Sequence, residues 1–201
     1  MEERPPKHIA FPRTPHLQGS TVVDDDAVVT AAMTNGMLRD YPTVLIQEKV
    51  DGTNVSVHFE QAWVPVCQKR SGLILQGEHE QYVRFRDFVY EHLEELNRVL
   101  GTRYALFGEW LLCRHGVEYD SLKSYFLAFD LWDKKDESFC SWNRMQEILD
   151  GVVDCVPILA NKWNGSPKEL EALIGTSKFS TKETAEGCQR VLPCASCSVP
   201  F

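Results

Sequence analysis

The sequence predicts an α+β domain, in which strand-like clusters and amphipathic helical stretches follow one another without any fixed-period repeat. Three observations carry that prediction. Residues 43–70 hold three closely spaced apolar or alternating runs, the pattern of neighbouring strands. A stripe at helical spacing follows and ends at Gly101. Two further apolar runs, 104–112 and 124–132, then read as buried strands.

Taken in order, the first forty residues are rich in turn formers (Pro5, Pro6, Pro12, Pro15, Gly19) and read as an extended arm with a short helix over Ala27–Met33. The Asp24-Asp25-Asp26 triplet reads as a solvated turn or helix start rather than a metal site. Strands are expected at Val44–Val50, at Asn54–Phe59 with Val55, Val57 and Phe59 on one face, and at Trp63–Gln68. Pro65 makes the last an edge strand, since proline cannot donate to a ladder. One helix is expected from Glu80 to Leu100, with Val83, Phe88, Leu93, Leu96 and Leu100 facing inward. His79, Arg84 and Arg86 near its start read as surface side chains, with substrate contact as the alternative. A short helix over Asn143–Leu149 stops at Gly151. Ser166-Pro167-Lys168-Glu169 is a capping box with proline in the first turn, opening a helix through Ile174 that Gly175 closes. Cys188, Cys194 and Cys197 fall in a stretch with few structural signals. Cys194-Ala195-Ser196-Cys197 has zinc-like spacing, yet no second pair is near, so free thiols are expected. The chain thus divides into an arm (1–40), a domain (41–187) and a loose tail (188–201).

A length of 201 residues gives one substantial core, and 43% hydrophobic with 25% charged residues is ordinary for a globular protein. No apolar run approaches the ~20 residues that span a bilayer, so no membrane partner is expected. An acidic, proline-containing start is unlike a secretory signal, and seven cysteines without a compact framework fit a reducing, cytoplasmic setting. The net charge of −8 counts against a large electrostatic grip on nucleic acid, while leaving room for a small basic or metal-assisted site.

The most informative run is Gln47-Glu48-Lys49-Val50-Asp51-Gly52-Thr53-Asn54. A lysine at the end of an apolar strand, followed by a glycine that lets backbone approach a ligand closely, can act as a nucleophile once its amine is neutral. A solvated lysine at a turn is the plain reading of those residues alone. Asp51, Thr53 and Asn54 put short polar groups within reach of a phosphate or sugar. Lys69-Arg70-Ser71-Gly72 adds a guanidinium before a glycine turn, suited to a ribose or phosphate. Phe107-Gly108-Glu109-Trp110 sets a carboxylate in an apolar strand, where it needs a cation, a hydroxyl or a metal. Phe129-Asp130 places a ring beside a carboxylate, and a ring there can stack on a purine or simply fill the core. Glu186-Gly187 repeats the pairing of carboxylate and glycine.

In this order the motifs resemble those of the covalent nucleotidyltransferases, and within them the RNA ligase 2 type of ATP-dependent RNA ligase. The resemblance covers roughly residues 44–187 and rests on Glu48-Lys49-Val50-Asp51-Gly52-Thr53-Asn54, Lys69-Arg70-Ser71-Gly72, Phe107-Gly108-Glu109, Phe129-Asp130 and Glu186-Gly187. It implies a ligase adenylation domain, with antiparallel sheets flanked by helices, that uses ATP and Mg²⁺ or Mn²⁺ on RNA ends or a nicked RNA duplex. Lys49 would attack the α-phosphate of ATP, and the AMP would pass to a 5′-phosphate end before a 3′-hydroxyl seals the strand. By the same resemblance Glu48 would read the adenine edge, Phe129 would stack on the base, and Arg70 would hold the ribose or a phosphate. Glu109 would bind the ribose or organise metal-bound water, and Glu186 would coordinate the metal. Asp51, Gly52, Asn54 and Asp130 would support the nucleotide from further back.

The sequence departs from the family after Glu186-Gly187. The family continues with an apolar strand and then two phosphate-binding lysines, whereas Cys188-Gln189-Arg190-Val191-Leu192-Pro193 leads to Phe201 without another lysine. The expectation is a domain incomplete in its C-terminal part, with full ligation weakened. The alternatives are a protein partner that supplies the missing elements, a nucleotide-binding or RNA-end-binding module without chemistry, and a DNA ligase or capping-type enzyme.

Overall fold

The computed structural model describes residues 6–17, 27–40 and 44–191. Its elements in chain order are β1 (His16–Leu17), β2 (Val28–Val29), α1 (Ala31–Asp40), β3 (Val44–Lys49), β4 (Thr53–Gln61), β5 (Val64–Lys69), β6 (Gly72–Leu73), α2 (Glu80–Glu91), α3 (Leu93–Leu100), β7 (Tyr104–Trp110), β8 (Phe126–Asp133), β9 (Ser138–Phe139), α4 (Trp142–Leu149), β10 (Ile158–Trp163), α5 (Pro167–Glu171) and β11 (Gly187–Val191). The expected α+β class holds. Asp24-Asp25-Asp26, Cys194 and Cys197 lie outside the described residues.

The larger sheet has six strands in the order β6-β5-β4-β7-β8-β9, and the smaller has three in the order β10-β3-β11. All their pairings are antiparallel. Strand alternation sorts the large sheet into two faces. One face carries Val55, Val57, Phe59, Leu106, Trp110, Phe126 and Leu131 against Phe85, Val89, Leu96, Leu100, Met145 and Leu149 of the helices. Each fully buried ring or branched side chain there contributes about 1.5–3 kcal/mol. The other face carries Ala105, Phe107, Leu127 and Phe129, and meets Val50, Leu111 and Val156. The arm crosses this second face: the Ile9 N–H donates to Gln68 Oε1 at 2.7 Å, and Phe11 packs on Phe107, Phe129 and Phe139 with centroids 5.2, 5.1 and 5.5 Å away.

Several expectations need correction. The helix expected over 80–100 is two helices, because His92 leaves helical geometry (φ −108, ψ 21) and its ring lies 4.3 Å from that of Phe88. Val83 is exposed, and Phe85 and Val89 take the inward positions instead. In the arm, Val28–Val29 pair with His16–Leu17 and the helix begins only at Ala31. The capping box at Ser166 and Glu169 forms, but α5 ends at Glu171 rather than Ile174. Ile158–Trp163, read as no element, forms β10 on β3, and Cys188 to Val191 continue a strand rather than open a loose tail.

Candidate active site

Lys49 ends β3, between the two strands added from the second half of the chain. Gly187 lies directly across from it in the ladder, which brings Glu186 alongside. The Lys49 ammonium donates to Glu186 Oε2, and the two side chains are 45% and 36% exposed, so the pair remains reachable from solvent.

Glu109 approaches from the large sheet, where it pairs with Asn54 on β4. Burial pushes its carboxyl up to about 8; the Lys49 charge and the Gly52 N–H pull the other way, while Glu186 and Asp51 push it further up. A carboxyl in this state is protonated near neutrality, and a cation arriving beside it would favour the charged form. Gly52 sits where any Cβ would lie 2.6 Å from Leu111 Cδ2 and 2.7 Å from the Trp110 carbonyl oxygen. Glycine is therefore required for β4 to pass this close to β7. Val55 pairs with Lys69 at the end of β5, and Arg70 follows in the turn at that end of the sheet. Lys69 itself is engaged, donating to both carboxylate oxygens of Glu78 at 2.7 and 2.6 Å, with its ammonium 5.1 Å from the Tyr82 ring centroid.

Other members of the sequence-derived set have different environments. Glu48 points away from Lys49, as alternation requires, and is only 2% exposed. Its carboxylate accepts from Ser177 Oγ and from the Lys178 N–H at 3.1 Å. Each oxygen thus accepts one hydrogen bond from the loop before Glu186. Asp51 accepts from the Gly116 and Val117 N–H groups, and its own N–H donates to Tyr119 Oη at 2.6 Å. Phe129 is 8% exposed, with the ring of Phe11 set edge-on at 78°. Asp130 lies across a bulge from Phe107, and burial pushes its carboxyl up to about 7. No described contact joins it to Lys49.

The sequence reading missed the loop pair that frames the site. Residues 114–121 and 177–183 are bound together: Thr181 donates to Asp120 from both Oγ1 and N, Arg114 pairs with Glu183 at 3.1 Å, and the Ser121 N–H donates to the Phe179 carbonyl. Asp51 grips the first loop and Glu48 the second, so residues on both sides of Lys49 fix where Glu186 arrives. The cluster Thr176, Ser177, Ser180, Thr181 was the available signal, since short hydroxyls bond nearby backbone in turns.

Glu109 and Glu186 offer two carboxylates beside a lysine. Among the described residues, no group of three or more His, Cys, Asp or Glu is placed to hold a metal ion. Mg²⁺ commonly takes one or two carboxylates and completes its shell with phosphate oxygens and water. The carboxylates present fit a cation shared with a phosphate ligand.

A family model described as RNA ligase matches residues 42–188. Among curated proteins, none matches the chain. Among solved structures, the chain is similar to a Naegleria gruberi RNA ligase with PPi, at TM-score 0.66 and 18% identity over 93% of this chain and 58% of that one. It is similar to a mutant of the Naegleria gruberi RNA ligase with ATP and Mn, at TM-score 0.64 and 19% identity over 79% of this chain and 48% of that one. It is also similar to a mutant with AMP and Mn, at TM-score 0.58 and 18% identity over 79% of this chain and 50% of that one. The chain therefore spans 48–58% of the length of these structures, and the likeness is one of fold.

Proposed function

The chain belongs to the RNA ligase family, and we propose that it carries the nucleotidyltransferase step of an ATP-dependent RNA ligase with Lys49 as the nucleophile. The observation that carries this reading is the convergence of the Lys49 ammonium with two carboxylates, Glu186 just before β11 and Glu109 of β7, at the solvent-reachable end of β3.

Attack requires a neutral amine. Glu186, hydrogen-bonded to Nζ, is the group placed to receive the proton. Nζ then forms a bond to the α-phosphorus of ATP, the bond from that phosphorus to the bridging oxygen breaks, and pyrophosphate leaves in line. A 5′-phosphate oxygen of RNA displaces Lys49 from the adenylate, and a 3′-hydroxyl finally displaces AMP. Mg²⁺ or Mn²⁺ held between Glu109, Glu186 and the phosphates would supply the charge that offsets the phosphate oxygens and favours the neutral lysine. Glu109, when protonated, can donate to a ribose hydroxyl. Arg70, at the mouth of the same sheet end, takes a ribose or phosphate. Asn54 stands beside Glu109 as a further polar contact. Phe129, buried beneath Phe11, would stack on the base only if the Phe11 ring moved aside. Glu48 is anchored by the 177–178 loop on the way to the adenine edge, and Asp51 holds the 116–119 loop.

A pulse–chase experiment tests the sequence of events. Protein labelled with α-labelled ATP is mixed with 5′-phosphorylated RNA or with the same RNA bearing a 5′-hydroxyl. Label should move from protein to the phosphorylated RNA alone, and GTP should not replace ATP. Label that never leaves the protein, or that follows GTP, contradicts an RNA ligase assignment.

A further inference from the structure

On the helix-covered face of the large sheet, at the end of β7 that carries Glu109, lies a cavity of about 400 Å³. Its floor is aromatic. Trp110 of β7 and Phe88 of α2 lie side by side, with ring centroids 5.8 Å apart. Tyr125 stands edge-on to Trp110 at 6.1 Å and 66°, and is 51% exposed. The rim carries charge of both signs: Arg84 and Glu91 from one stripe of α2, and Lys123 from the segment before β8.

Two details separate this cavity from ordinary surface relief. Trp110 is 3% exposed, yet its indole N–H has no hydrogen-bond partner among the described residues. A buried indole donor left unpaired is costly, and an acceptor entering the cavity would relieve that cost. Lys123 has no ion pair or hydrogen bond among the described residues, whereas Arg84 is shared with Glu80 at 3.5 Å and Asp87 at 3.8 Å. The cavity therefore combines an exposed ring that can stack, a free ammonium, and a lining tryptophan whose buried indole N–H lacks a partner among the described residues.

The topology ties it to the nucleophile. Trp110 follows Glu109 on β7, so their side chains leave opposite faces of the sheet at one edge. Thr53 pairs with Trp110 and bridges the edge, donating to Gln81 Oε1 at 3.2 Å and lying 3.2 Å from His115 Nε2. A strand bound at Lys49 can pass over this edge and set a neighbouring residue into the cavity.

We propose that the cavity is a nucleotide subsite for the RNA strand, in which an unpaired base stacks on the exposed Tyr125 ring above buried Trp110, a small opening of the floor lets the unpaired indole N–H donate to it, and Lys123 holds the adjoining phosphate. The proposal rests on the RNA ligase reading for its ligand, and on the cavity alone for its residues. Sequence-tolerant recognition of single strands by stacking plus a cation needs no more than these groups.

The test measures binding of a fluorescently labelled, 5′-phosphorylated single-stranded RNA by anisotropy, alongside covalent labelling of the protein with ATP alone. Tyr125→Ala, Lys123→Ala and Trp110→Phe are compared with the parent chain. Tyr125 and Lys123 are exposed, so their replacement spares the core; Trp110→Phe keeps a ring and removes the N–H. Tyr125→Ala should weaken RNA binding by about tenfold, while ATP labelling stays at the parent rate. Lys123→Ala should lower the salt dependence of binding, since one phosphate contact is removed. RNA affinity unchanged in all three variants overturns the proposal, as does a parent chain that labels with ATP but binds no RNA. A chain that fails to label but loses RNA affinity on Tyr125→Ala supports the cavity and counts against the proposed adenylation step alone.

Discussion

Lys49 and Glu186 are distant in sequence, yet the ladder between β3 and β11 sets Gly187 directly opposite Lys49, so the Glu186 carboxylate meets the ammonium. The contact is therefore a product of strand register. Glu186→Ala should slow covalent labelling by ATP by 10²-fold or more, roughly the range for general-base removal, while leaving the melting temperature nearly unchanged because the pair is exposed. Labelling at the parent rate in Glu186→Ala would show that the pair has no part in the chemistry.

Glu109 gives a pH signature. Its carboxyl stands near 8 in the fold against an ordinary 4.5, so between those values the folded chain binds a proton that the unfolded chain does not. Its contribution is complete below 4.5 and is lost as pH rises through 8. Urea midpoints of Glu109→Gln and the parent, taken without nucleotide at pH 5, 7 and 9, should diverge with rising pH in favour of the variant. Parallel pH curves would place Glu109 in a solvated position.

His58 acts with the opposite slope. It is 1% exposed, neither ring nitrogen has a hydrogen-bond partner among the described residues, Glu60 stands 3.9 Å from Nε2, and burial first, then the nearby Lys134 charge, lowers it from 6.5 to about 4 against the pull of Glu60. The unfolded chain binds the proton more readily, so stability falls as pH drops from 6.5 towards 4. His58→Leu should remove that part of the acid sensitivity. Acid unfolding with an unchanged midpoint would contradict this.

Asp51 links the nucleophile's turn to the loop at 116–119. Asp51→Ala removes the acceptor of the exposed Gly116 N–H and the part-buried Val117 N–H, and should cost about 0.5–1.5 kcal/mol. Hydrogen exchange should quicken at those two amides more than across β4 and β7. Unchanged exchange there would mean the loop is held by its contacts with residues 177–183 alone.

Much of this was readable beforehand, and the misses share a cause. Val44–Val50, Asn54–Phe59 and Tyr104–Leu112 announce themselves by β-branched and aromatic alternation, and all three form strands. β10 did not, because Ile158-Leu159-Ala160-Asn161-Lys162-Trp163 alternates poorly, and its pairing with β3 shows register shifts that interrupt a simple pattern. Cys188 to Val191 looked like a tail because strand identity there comes from the partner β3 and not from local propensity. The site followed the same rule. Lys49, Gly52 and Glu109 were legible as chemistry in unusual places, whereas the roles of Glu48 and Asp51 depend on Ser177, Lys178, Gly116 and Tyr119, which only folding brings near.

The most direct measurement is covalent labelling by α-labelled ATP with Mg²⁺ or Mn²⁺, resolved on a denaturing gel, for the parent chain and Lys49→Ala, with circular dichroism to establish that both are folded. A labelled band in the parent that disappears in a folded Lys49→Ala is the result this account predicts. Label of equal strength in both would contradict it and assign the nucleophile elsewhere.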